Sequence, residues 1–211
     1  MVIIMGGVSG VSAMPMLSAQ SVSTNMGQNF AVTNIINQTG LSSGYTSGVT
    51  DFDAYIAGIP THTSQMGTDW VSAGNTTGYV DFDFGSVATI ESIAIWNVSL
   101  TNPNRLNTGV SRLGIYSSST TDFTTSTFLG EFAISQPTAN PTTAQVLSLS
   151  TAATGQYLRF DILSNYGSST WTALGEVAFE TAGNAVPEPT TILLLGAGLL
   201  GLVGFRRKLQ K

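Results

Sequence analysis

From Tyr79 to Phe179 apolar and polar residues alternate in short runs, each closed by glycine, serine, threonine or asparagine. The runs are residues 79–84, 89–97, 110–117, 128–134, 144–149, 156–163 and 173–179. A period of two over four to eight residues puts one side of each run in a core and the other in water. Runs at this spacing, with no sustained 3.6-residue period, predict an all-β, antiparallel β-sandwich. Residues 25–37 read either as an eighth strand or as irregular chain. With no cysteine, the fold must stand on its hydrophobic core, and a body of residues 20–183 is long enough to bury one.

The two ends read differently from the body. Pro187-Glu188-Pro189 precedes an uncharged apolar run, Thr190 to Phe205, and then Arg206-Arg207-Lys208. Sixteen apolar residues are slightly short for a ~30 Å hydrocarbon core, yet long enough to stall in a membrane as a short transmembrane helix. The basic end would stay cytoplasmic, leaving the body outside. Residues 184–211 therefore read as a sorting or anchoring segment. The apolar stretch Val2 to Leu17 has the character of a signal-peptide helix over residues 1–19, with small-residue cleavage contexts at Val11-Ser12-Ala13 and Leu17-Ser18-Ala19. It lacks a basic start, and a buried N-terminal strand is the alternative. Together the ends predict export to the cell envelope, the cell surface or an extracellular matrix.

Charge and residue inventory exclude several functions. Residues 20–183 hold three arginines against eleven acidic side chains, which repels phosphate backbones and argues against nucleic acid. The same imbalance favours a hard cation such as calcium, which takes oxygen ligands. With no thiol and a single histidine, His62, thiol catalysis is impossible and a Ser-His-Asp arrangement would need that one residue. Asp81 and Asp83 share one strand face, a poor layout for carboxylates flanking a scissile bond. No nucleophile elbow, phosphate loop or histidine metal motif is present. The body is expected not to be an enzyme.

Two resemblances sharpen this reading. Residues 186–209 resemble the PEP-CTERM sorting signal of Gram-negative bacteria, with Pro187, Glu188, Pro189, Arg206 and Arg207 as its marks. That implies an exosortase as partner, and a setting of exopolysaccharide and biofilm. From Trp70, Asp83-Phe84-Gly85, Ile93-Ala94-Ile95-Trp96-Asn97, Tyr157 to Phe160 and Glu176-Val177-Ala178-Phe179, the body resembles the discoidin-like, F5/8 type C, galactose-binding jelly roll. This resemblance implies packing roles for Trp70 and Trp96. It also implies a structural calcium held by Glu176 with Asp51 or Asp53, although the family's usual Asp-Gly step is absent here. Carbohydrate binding through end loops is implied as well, with His62, Asn104, Arg105, Tyr166 and Trp171 as candidates. Exopolysaccharide is the expected ligand; a passive structural matrix protein without a ligand is the alternative, since a fold alone does not fix function.

Overall fold

The computed structural model describes residues 14–98 and 107–182, which fall within one compact unit, Met14–Ala182. In chain order the described elements are β1 (Met16–Leu17), β2 (Ser21–Thr24), a 3-10 helix (Val32–Ile36), α1 (Phe52–Ala57), β3 (Thr61–His62), β4 (Trp70–Val71), β5 (Gly78–Asn97), β6 (Val110–Ser118), β7 (Ser126–Ala133), β8 (Thr142–Thr143), β9 (Gln145–Asn165) and β10 (Ala173–Thr181). The main sheet has the order β1-β10-β5-β9-β6-β7, with β2 added on β5 and β4 on β10, and β3 pairs with β8. Every named strand pairing is antiparallel. The result is a discoidin-like β-sandwich.

Two expected strands, 79–84 and 89–97, are halves of β5, and 144–149 and 156–163 are halves of β9. Register shifts between Asp83 and Ala88, and between Ile90 and Ser92, let these long strands bend across both layers. Gly85, at φ 74°, makes the bend beside the Gln20 side chain, where a Cβ would collide. Residues 25–37 are irregular chain closed by the 3-10 helix.

The alternation places Val80, Phe82 and Phe84 inside. Phe82 packs edge-on against Phe160 and Phe179, with ring centroids 4.9 and 5.2 Å apart, and Phe84 meets Phe179 at 4.9 Å. Such pairs add about 0.5–1.5 kcal/mol each to their area burial. Trp70 and Trp96 are fully buried, donating their indole N–H groups to the carbonyls of Gly27 (3.2 Å) and Pro60 (2.9 Å).

β10 departs from the half-buried pattern, because it is buried on both faces. Leu174, Val177 and Phe179 join the main core; Ala178 joins a second cluster of Met16, Tyr45, Phe52, Ala94 and Trp96. Tyr45 and Phe52 belong to the insertion between the 3-10 helix and β4, which covers this outer face.

At the N-terminal side the compact unit extends back to Met14. Met16 is fully buried, and β1 pairs with β10 through Met16–Glu180 and Leu17–Phe179. The folded body therefore includes residues 14–19, which were expected to belong to a leader ending at Ala19. Residues 1–13, the sorting segment with Pro187, Glu188, Pro189, Arg206 and Arg207, and the apolar run 190–205 lie outside the described residues. Among the described residues, no helix is long and apolar enough to cross a membrane.

Candidate functional site

One end of the sandwich is a set of loops tied to each other by backbone and small polar side chains. Ser72 and Thr172 exchange two bonds: Ser72 N–H to the Thr172 carbonyl, and Thr172 N–H to Ser72 Oγ, both 2.8 Å. Thr172 Oγ1 donates to the Thr76 carbonyl (2.8 Å), and Asn29 Nδ2 to the Ser72 carbonyl (2.9 Å). Asn165 sits at the base of the 166–172 loop and donates to the carbonyls of Ser168 (3.0 Å) and Trp171 (2.9 Å). Ala173 N–H reaches the Thr108 carbonyl at 2.8 Å. Serine, threonine and asparagine favour such local side-chain-to-backbone bonds, which is why these loops hold a defined shape.

On this framework Asn29, Phe30, Val71, Thr108 and Trp171 line a cleft of about 280 Å³. Val71 is its buried floor, Phe30 is half-buried, and Trp171 is 38% exposed. An exposed tryptophan beside a second aromatic, with the Asn29 side chain at the rim and Thr108 buried, suits the two faces of a pyranose. The apolar C–H face can lie on a ring, and a hydroxyl can reach the Asn29 amide. The volume lies near the lower limit for small-molecule pockets.

The expected site residues separate. Trp171 is in the cleft. Tyr166 is half-buried, and its hydroxyl donates to the Ile134 carbonyl. Burial raises its pKa. It braces the end of β7 and is corrected from stacking platform to support. His62 is fully buried on β3, with Nε2 3.1 Å from the Thr39 carbonyl. It is corrected too: an imidazole without exposure cannot touch a sugar. Asn104 and Arg105 lie outside the described residues. Phe30 and Asn29 were missed, because they sit in a stretch without periodicity.

The expected calcium set is not assembled. Asp51 caps α1, accepting the Ala54 N–H at 2.7 Å, and Asp53 is exposed in the first turn of that helix. Asp51 bridges to Pro15, whose carbonyl accepts the Thr181 N–H at 3.1 Å, so it lies at the Glu180 end of β10. Glu176 stands four residues back along that strand, about 13 Å away at the usual rise. Glu180 carries a raised pKa, first from burial and then from Asp53, Glu91 and Asp51.

Glu176 itself is fully buried, and Oε2 accepts the Gln38 N–H at 2.9 Å. Oε1 and His62 Nδ1 have no hydrogen-bond partner among the described residues. Burial drives the Glu176 pKa well above the carboxylate range and lowers that of His62, so both groups favour their neutral forms. His62 Nδ1 is 3.8 Å from Asp69 Oδ1, beyond hydrogen-bond reach. Among the described residues, no three histidine, aspartate or glutamate side chains are grouped to hold a metal.

The sandwich, with its loop-end aromatic cleft, defines a discoidin-like module. The Sad1/UNC-like C-terminal family matches residues 63–179, and the chain belongs to that family. The PEP-CTERM protein-sorting motif matches residues 185–208, so the chain carries that signal at its C-terminus. Solved structures share the fold at low identity. The family 32 carbohydrate-binding module of C. perfringens NanJ, in complex with galactose, is 11% identical with a TM-score of 0.50, covering 80% of this chain and 97% of that one. The CBM32-1 and CBM32-2 domains of Clostridium perfringens ZmpB, in complex with GalNAc, are 13% identical with a TM-score of 0.52. That match covers 78% of this chain and 35% of the ZmpB chain. The CBM32 of AlyQ, in complex with 4,5-unsaturated mannuronic acid, is 20% identical with a TM-score of 0.47, covering 79% and 98%. No curated protein matches the sequence.

Proposed function

We propose that the chain is an exported, non-catalytic carbohydrate-binding module, displayed at the cell surface or in an exopolysaccharide matrix. The observation that carries this reading is Trp171, held 38% exposed against the cleft that also contains Phe30. A fully buried indole would do more for stability, so a loop built to hold it open indicates a contact surface. The module structures bound to galactose and GalNAc support the reading by analogy of fold.

The route outward is part of the proposal. A leader ending at Ala13 directs export, because a cut there leaves β1 intact. The run 190–205 then anchors the chain in the membrane at least transiently, and an exosortase acts at Pro187-Glu188-Pro189. The passive matrix role predicts that both loop aromatics are closed off. Tyr166 is half-buried with its hydroxyl bonded, and Trp171 is exposed.

A glycan array probed with the full chain tests the reading. Binding to a defined sugar, lost in Trp171→Ala, is the expected result. Silence from a folded sample, including on the producer's own polysaccharide, would replace it with the passive role.

A further inference from the structure

A turn of the chain packs onto Glu176. Residues 38–40 form a tight turn through left-handed backbone at Gln38 (φ 63°) and Gly40 (φ 102°). Gln38 N–H donates to Glu176 Oε2, while Gln38 Oε1 accepts the Tyr45 N–H at 2.8 Å. The His62 ring is wedged between this turn and β10. A Cβ on Gly40 would come within 2.7 Å of His62 Nε2, and one on Gly175 within 2.8 Å of His62 Nδ1. Glycine on both sides is what leaves room for the ring. His62 is further fixed by Nε2 against the Thr39 carbonyl, by pairing with Thr142 and by a bridge to Leu41.

The resemblance to discoidin-like modules implies a calcium ion that ties a loop, through Asp51 or Asp53, to Glu176 of the last strand. Calcium needs six to eight oxygens. Here the Glu176 carboxylate and the His62 imidazole are both bonded to the 38–40 turn, Asp69 Oδ1 lies 3.8 Å from His62 Nδ1, and Asp51 is used elsewhere as a helix cap. We infer that this chain has replaced the structural calcium of discoidin-like modules with an internal staple, Gln38–Glu176 backed by the His62 ring, and folds without a divalent cation. The staple joins the 38–40 turn to β10 through Glu176 and the His62 ring.

Thermal melts of the full chain in millimolar calcium chloride and in EDTA test this. The expected midpoints agree within about 1 °C. A calcium site filled a hundredfold above its dissociation constant would raise the midpoint by roughly 5–10 °C, and that rise would overturn the inference. His62→Ala is expected to lower the midpoint equally in both buffers. A His62→Ala midpoint equal to wild type would overturn the staple. If His62→Ala does not fold, His62→Asn and the wild-type pair of melts still decide. Glycan binding is read separately on the array, so either idea can fail alone.

Discussion

Arg159 grips Asp81 from the neighbouring strand with two hydrogen bonds, Nε to Oδ1 at 2.6 Å and Nη2 to Oδ2 at 2.8 Å. The two residues are direct register partners on β9 and β5. The guanidinium also lies over the rings of Tyr79 (3.8 Å) and Phe123 (4.1 Å). Asp81 raises the Arg159 pKa by this pairing, opposed by partial burial. Asp81 is thus a cross-strand anchor, consistent with its poor suitability as a catalytic acid. Asp81→Asn keeps the shape and loses the charge. It should cost about 1–2 kcal/mol in chemical denaturation and leave glycan binding intact.

Phe82 is the hub of the aromatic core, touching Phe160 and Phe179. Phe82→Ala leaves a cavity between the two layers and should destabilise by about 3–5 kcal/mol. Thermal melting checks this: a loss below about 1 kcal/mol would contradict the packing described.

The alternating pattern made the main strands and the buried faces of β5 and β9 legible, while the packing of Trp70 and Trp96 came from the family resemblance. It did not show that β10 is covered on its outer face, because the covering insertion has neither period. Residues 38–69 hold one six-residue helix and one two-residue strand, too short for any periodic signal. His62 looked like a loop residue for the same reason, and only packing reveals it as buried. Trp171 was legible, since a tryptophan among Ser, Thr and Gly stands out. Its partner Phe30 was hidden in irregular chain.

Glu176 should make stability depend on pH. Its folded pKa lies well above the unfolded value, so its contribution is fully present below the unfolded carboxyl pKa. That contribution is lost as pH rises toward and through the folded value. Each unit of difference is worth about 1.4 kcal/mol. Glu176→Gln retains an oxygen acceptor for the Gln38 N–H and removes the ionisation. The variant should melt higher than wild type at pH 8 and gain little at pH 5. His62 works in the opposite sense: its lowered pKa costs stability as pH falls below about 6.5. Melts from pH 5 to pH 8 separate the two, and equal slopes for wild type and Glu176→Gln would contradict the assignment.

The proposed leader ending at Ala13 leaves β1 in place. Met16 N–H bonds to the Thr50 carbonyl and the Met16 carbonyl to Gly48 N–H, both at 2.7 Å. Deleting residues 14–19 removes these bonds and a fully buried methionine, at an expected cost of about 2–5 kcal/mol. Mass spectrometry of the exported chain should find Met14 at the new N-terminus. A terminus at Gln20 would contradict this.

The most direct test of the central claim is titration calorimetry of the full chain with the best glycan from an array, repeated on Trp171→Ala and Phe30→Ala. Both substitutions should weaken binding at least about tenfold, equivalent to about 1.4 kcal/mol, with melting midpoints near wild type and no effect of EDTA. Unchanged affinity in both variants would place recognition elsewhere and contradict the role of the Trp171 cleft.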